Sequence, residues 1–137
     1  MIIVSACLAG IPCRWNGEAK SDERVMRLVR EGKALPLCPE QLGGLTTPRE
    51  PSEIRAGRAF SKSGADLTVE FQRGAEIVWE TARHYGCFEA ILKALSPSCG
   101  SGRVYDGSFS GTLVDGDGLT ARLLKKKGVL VRTEDEL

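Results

Sequence analysis

The chain has 137 residues, 42% hydrophobic and 27% charged, with 19 basic residues against 18 acidic ones and a formal charge of +1. This is the balance of one soluble globular domain spanning 1–137, long enough to bury a real core. It lacks the basic footprint of a nucleic-acid binder, and the N-terminal run Met1-Ile2-Ile3-Val4-Ser5 is too short for a signal peptide or a membrane span, so we expect a cytoplasmic protein whose partner is neither a nucleic-acid polymer nor a membrane.

In chain order, Ile2 to Ser5 is β-branched at three positions and predicts a strand ending at Ala6-Cys7. Asp22 to Glu31 places Val25, Leu28 and Val29 on one helical face, with Ser21 as the expected N-cap and Gly32 as the C′ residue. Ala34 to Leu37 predicts a second strand ending at Cys38. Pro39 to Ala65, rich in Gly, Pro and Thr, reads as a long loop, and such loops are usually functional. The long helix runs from Asp66 to Tyr85, where Phe71, Ala75, Val78, Ala82 and Tyr85 recur at steps of four and three, and Gly86 stops it. Ala90 to Leu95 predicts the third strand, followed by Ser96-Pro97-Ser98-Cys99-Gly100. Within the Gly-rich stretch Gly107 to Gly118 we expect a short hairpin at Ser110 to Val114. A last helix, Leu119 to Lys127, carries three lysines in its final turn, where the helix dipole favours cations. Val129 to Arg132 is the fourth strand.

This alternation predicts an α/β fold: a small, open, mostly parallel sheet with flanking helices, flavodoxin- or Rossmann-like, in the order 2-1-3-4. Pro36 supports the order, because proline cannot donate to a sheet ladder and belongs on an edge strand.

The five cysteines need a reason to be there, since a reducing compartment does not favour disulfides. Cys7, Cys38 and Cys99 follow the carboxyl ends of the first three strands. In an open parallel sheet, ligands bind beyond those ends, where the strand order reverses. Any one of these cysteines alone reads as a small buried hydrophobe. Three at equivalent strand ends, each beside turn residues, point instead to one shared site. There is no C-x-x-C pair for a zinc ribbon, and His84 reads as a surface or half-buried helix residue. Thiolates without histidine suit zinc or iron–sulfur chemistry, and three thiolates leave one corner of a cubane open. Cys13, six residues beyond Cys7, is near enough to be a fourth ligand; Cys87, after Gly86, reads as a packing residue.

Ser5-Ala6-Cys7-Leu8-Ala9-Gly10 with Cys13-Arg14, then Cys38-Pro39-Glu40, Thr47-Pro48-Arg49, Ser96-Pro97-Ser98-Cys99-Gly100 and Tyr105-Asp106-Gly107 occur in one order across the whole chain. The set resembles a bacterial domain family whose characterised members are thiouracil desulfidases. The resemblance implies a 4Fe-4S cluster held by three cysteines, here Cys7, Cys38 and Cys99. It also implies a substrate that is a thiolated base or nucleoside, whose sulfur would bind the fourth iron and be replaced by water oxygen without net redox change. It implies acid/base positions at Glu40 and Ser96. It argues against Cys13 as a ligand, because members often carry another residue there. One departure stands out: the family commonly shows Arg-Tyr-Asp-Gly where this chain has Arg14-Trp15-Asn16-Gly17, so an aromatic is kept and a carboxylate lost.

From the residues themselves, Glu40 is two positions from Cys38 and could serve as general base on the water or as a proton shuttle. Ser96, three positions from Cys99, could orient the water or relay a proton. The plainer uses are a surface carboxylate or helix cap for Glu40, and turn chemistry around Pro97 for Ser96 and Ser98. Backbone N–H groups of Ser98 to Gly102 are expected to be available to cluster sulfurs. The competing readings are a non-catalytic metal- or persulfide-binding module and a four-cysteine electron-transfer protein.

Overall fold

The computed structural model describes residues 1–137. Four strands, β1 (Ile2–Ser5), β2 (Ala34–Leu37), β5 (Glu89–Leu92) and β8 (Leu130–Thr133), form one parallel sheet in the order β2-β1-β5-β8. This is the order expected from the sequence, with Pro36 on the edge strand. Adjacent residues of a strand face opposite sides of a sheet. Ile3 accordingly joins a core cluster with Val78, Ala82, Leu92 and Leu124, while Val4 joins another with Val25, Ala34 and Ile91. Helix α1 (Glu23–Arg30) covers the second face, and α3 (Thr68–His84) and α4 (Leu119–Lys126) cover the first. The split follows from topology. The chain leaves β1 toward one edge to make β2 and later returns to the other side to make β5, and crossovers of one hand then place their helices on opposite faces.

The boundaries differ from expectation in instructive places. The N-cap of α1 is Asp22, not Ser21, because the Asp22 carboxylate accepts the Arg24 N–H at 2.9 Å and also pairs with the Arg24 guanidinium. The stretch from Pro39 to Ala65 is not a bare loop. It holds the one-turn α2 (Pro39–Leu42) and an antiparallel hairpin, β3 (Ser52–Arg55) with β4 (Arg58–Ser61). The second hairpin is wider than Ser110 to Val114: β6 (Arg103–Tyr105) pairs with β7 (Leu113–Asp115), so the Gly/Ser-rich segment is the connection and its first arm lies before Gly107. His84 is exposed at the end of α3, and Cys87 is fully buried as a packing residue. No helix is long and apolar enough to cross a membrane.

One helix crossing sets the position of the site. A Cβ on Gly74 of α3 would lie 1.9 Å from the Pro39 carbonyl oxygen, and one on Gly43 would lie 2.0 Å from the Glu70 carbonyl oxygen. Backbone thus rests on backbone where α3 meets α2. The two glycines are what allow the segment after Cys38 to sit so close.

Candidate functional site

Three turns at the carboxyl end of the sheet carry the site. After β1 the chain folds into a tight turn, with the Leu8 N–H on Ser5 O at 3.0 Å and the Ile11 N–H on Ala6 O at 3.1 Å. This places Cys7 at the mouth of the sheet. After β2, Cys38 is the N-cap residue of α2, with Pro39 in the first helical position, where its missing N–H leaves nothing unsatisfied. After β5, the Ser96 hydroxyl accepts the N–H groups of Ser98 (3.2 Å) and Cys99 (3.0 Å). The N-terminus of α4 grips the same turn from behind: the N–H groups of Leu119, Thr120 and Gly118 donate to Pro97, Ser98 and Gly100 carbonyls at 3.0, 2.8 and 2.7 Å.

Cys7, Cys38 and Cys99 open onto one cavity of about 200 Å³, at the point where the strand order reverses between β1 and β5. Cys13 lines it too, 2% exposed and hydrogen-bonded to Cys38. The sequence places it on the Cys7 loop, and the fold brings it against Cys38 across 25 positions, with the Cys38 thiol 3.8 Å from the Cys13 carbonyl oxygen. The thiols feel one another. Burial pushes Cys7 up to about 11, with the charge of Cys38 adding to it and Lys93 opposing. Burial likewise pushes Cys99 up to about 12, against the pull of the Ser5 and Ser98 hydroxyls and with the charges of Cys7 and Cys38 adding to the rise. Cys38 is drawn down to about 7, chiefly by its hydrogen bond with Cys13, and the same bond raises Cys13.

The carboxylate of Glu40 faces the cavity and is held at both oxygens. Arg49 Nε lies 3.0 Å from Oε1, and the Ser98 hydroxyl donates to Oε2 at 2.9 Å. The pair is largely out of water, with Arg49 8% and Glu40 13% exposed at their side chains. Arg49 also donates to the carbonyl oxygens of Cys13 (2.9 Å) and Thr46 (3.1 Å) and to the Thr47 hydroxyl (3.0 Å). It thereby ties the Cys13 loop to α2. Ser96 stands 3.1 Å from Ser98. Both candidate acid/base residues are therefore at the cavity, with Arg49 and Ser98 between or behind them. Sequence reasoning assigned the side chain of neither a part in the site; of Ser98 it named only the backbone N–H. The Thr-Pro-Arg motif named Arg49, but its partnership with Glu40 is a tertiary contact without a local signal.

Trp15 and Tyr105 supply aromatic surface to the cavity wall, and Lys93 supplies a cation already paired with Glu134 at 2.9 Å. Asn16 points elsewhere. Its side-chain carbonyl accepts the Glu18 N–H at 3.0 Å and its amide donates to the Glu18 carboxylate. Aspartate would supply the acceptor part of this turn as well, whereas the donation to the Glu18 carboxylate needs the asparagine amide, and Asn16 does not line the cavity. The expected free backbone N–H groups are mostly committed: those of Ser98 and Cys99 to Ser96 Oγ, Gly100 to Ser96 O at 2.8 Å, and Gly102 to Asp117 at 2.8 Å. The turn spends its donors on its own rigidity.

No three His, Cys, Asp or Glu side chains converge tightly enough to hold a single metal ion. The thiols are spread around a common cavity, which suits a polynuclear group better than one zinc ion. The donor set fits the same conclusion: sulfur without histidine, in an apolar setting that keeps Cys7 and Cys99 protonated unless a cationic centre displaces the protons.

Comparison with known proteins agrees. A family model described as 2-thiouracil desulfurase matches residues 2–136. The uncharacterized protein YbbK of Bacillus subtilis (strain 168) is 45% identical over 147 aligned positions, covering 100% of this chain and 97% of its own. The solved structure of the [4Fe-4S]-dependent thiouracil desulfidase TudS superposes with a TM-score of 0.95 at 46% identity, covering 99% of this chain and 91% of that one.

Proposed function

The chain belongs to the 2-thiouracil desulfurase family, and from that premise we propose that it is a cytoplasmic, 4Fe-4S-dependent enzyme that replaces the sulfur of a thiouracil-like base with oxygen from water. The observation that carries the reading is the meeting of Cys7, Cys38 and Cys99 at one cavity with the doubly held Glu40 carboxylate on its wall. Those three cysteines are the ligands in this proposal. Cys13 is a neighbour whose hydrogen bond shapes the Cys38 thiol. A cluster held there by Cys7, Cys38 and Cys99 would supply a Lewis-acidic iron, suited to a soft thiocarbonyl sulfur.

The rest of the work falls to side chains. Trp15 and Tyr105 offer flat apolar surface to a planar ring. Glu40 takes a proton from the attacking water, and Arg49 and Ser98 keep its carboxylate aimed while it does so. Ser96 contributes a hydroxyl on the other side of Ser98. The overall exchange balances: a thiocarbonyl and one water give a carbonyl and one hydrogen sulfide, with no electrons gained or lost.

The test is anaerobic reconstitution with iron and sulfide, followed by metal analysis and assay of 2-thiouracil. A brown protein that forms uracil and releases sulfide supports the reading. A colourless protein that takes up zinc in place of iron supports a storage module and overturns it.

A further inference from the structure

We propose that Glu53, which lies outside the cavity, sets which ring the cavity accepts: its carboxylate latches the β6–β7 connection onto β3 and so fixes the place of Tyr105 in the wall. Glu53 is then a positioning residue that acts through Tyr105. The proposal rests on the desulfidase reading above and extends it to ring selection.

Two residues of the cavity wall, Ser52 and Tyr105, come from the accessory hairpins rather than from the parallel sheet. Ser52 begins β3 and Tyr105 ends β6. Each hairpin has only two strands, and such a unit is marginal unless something packs it in place. On one side of Tyr105, Val104 bridges to Leu95, just before the turn that carries Cys99. On the other side the chain leaves β6 and turns at Gly107, and there Glu53 takes hold of it.

Glu53 Oε1 accepts the N–H of Gly107 at 3.0 Å and that of Phe109 at 3.1 Å. One charged oxygen thus gathers two backbone donors from 54 and 56 positions along the chain. Bonds to an ionised acceptor are roughly twice as strong as neutral ones. Glu53 joins none of the salt bridges in the structure, so these two amides are what its carboxylate serves.

The backbone on both sides is shaped to this contact. Gly107 has φ +92°, and a Cβ there would lie 2.7 Å from Arg55 Cβ and 2.9 Å from the Ile54 carbonyl oxygen. The connection therefore rests directly on β3. Phe109 holds φ +56°, a left-handed conformation that costs a bulky residue energy and persists only where the surroundings impose it. Its N–H is one of the two on Glu53. Between them, Asp106 Oδ1 accepts the Ser108 N–H at 2.9 Å and the Ser108 hydroxyl at 2.6 Å, which closes the turn on itself. The turn is rigid within, and Glu53 decides where it stands. Without the latch the connection can lift from β3, and Tyr105, two residues before Gly107, moves with it. A wall that yields stacks less firmly on a planar ring and excludes a bulkier ring less well.

The experiment compares wild type, Glu53→Ala, Glu53→Gln, Gly107→Ala, Tyr105→Ala and Glu53→Ala/Tyr105→Ala, all reconstituted anaerobically, on 2-thiouracil and on the bulkier 6-propyl-2-thiouracil. Iron content, kcat and KM are read for each. Glu53→Ala should keep wild-type iron and hold kcat within about threefold, while KM for 2-thiouracil rises about tenfold, the scale of one lost base–aromatic stack. Its preference for 2-thiouracil over the propyl compound, as a ratio of kcat/KM, should fall by a similar factor. Glu53→Gln keeps an oxygen acceptor and should recover most of the KM. Gly107→Ala pushes the turn off β3 from the other side and should reproduce Glu53→Ala. Adding Glu53→Ala to Tyr105→Ala should raise KM no further, because the ring through which Glu53 acts is already gone. If wild type turns over 2-thiouracil and Glu53→Ala matches it in KM and preference, the latch is wrong and the desulfidase reading stands. A Glu53→Gln protein no better than Glu53→Ala also overturns the latch. So do effects of Glu53→Ala and Tyr105→Ala that add in full, or that fall on kcat or iron content instead of KM, since these mark a general structural role. A wild type inert to 2-thiouracil overturns the desulfidase reading itself, and the proposal with it.

Discussion

Gly74→Ala is a test of whether the α2–α3 crossing sets the catalytic geometry. Helix propensity alone predicts a gain, because Gly74 lies inside the 17-residue α3 and alanine is favoured over glycine there by up to about 1 kcal/mol. The contact opposes this. The new Cβ would lie 1.9 Å from the Pro39 carbonyl oxygen, about 1.1 Å short of the 3.0 Å that such atoms keep. The obstacle is backbone, so no side chain can swing aside. Overpacking of this kind costs about 1–3 kcal/mol and occasionally more. The steric term therefore wins, and we expect a net loss of about 1–2 kcal/mol, measured as a fall of roughly 1 M in the urea midpoint of reduced apo-protein. Displacing α2 also moves Glu40 relative to Ser98 and Arg49, where the bonds are now 2.9 and 3.0 Å. A misplacement near 1 Å costs on the order of 10²-fold in turnover. A Gly74→Ala protein that is as stable as wild type and turns over at the same rate would refute the claim that this crossing positions the site.

Serine in place of Cys7, Cys38 or Cys99 should abolish iron binding, whereas Cys13→Ser and Cys87→Ser should retain it; iron and acid-labile sulfide analysis after reconstitution decides. Arg49→Lys should behave much like Arg49→Ala, because an ammonium cannot reproduce the bonds Arg49 makes to Glu40, Cys13, Thr46 and Thr47. Both should lower stability by about 3 kcal/mol, as breaking a largely buried pair does, and chemical denaturation measures it. Asp66 is held down to about 2 by the Thr68 hydroxyl and N–H, with Arg58 adding, against an ordinary value of 3.8. Since the folded value is the lower one, its contribution to stability is complete above pH ~4 and is lost as pH falls toward ~2. Asp66→Asn should flatten thermal stability across that interval and leave its slope near neutral pH unchanged.

The sheet was legible because its signals are local. Each strand is a short β-branched or apolar run, each helix carries a periodic face, and Pro36 marks an edge. Three of the four cavity cysteines were legible for the same reason, as each follows a strand end. The β3–β4 hairpin was not, since Ser52–Arg55 and Arg58–Ser61 are charged and only partly buried and show little apolar alternation. Helix α2 is one turn and begins with proline, which reads as loop. The contacts that organise the site span long separations: Ser98 reaches Glu40 across 58 positions and Arg49 reaches Cys13 across 36. Nothing in the local pattern around Arg49 or Ser98 announces these partners. The same holds for Cys13, whose place on the Cys7 loop was evident but whose contact with Cys38 was not.

The most direct test of the central claim is a single turnover of 2-thiouracil in heavy-oxygen water by the anaerobically reconstituted protein, with product mass and sulfide measured together. The account predicts uracil carrying one heavy oxygen atom and one sulfide released per base, in cluster-loaded protein and not after iron is chelated. Turnover undiminished by removal of iron, or uracil without the label, would contradict it.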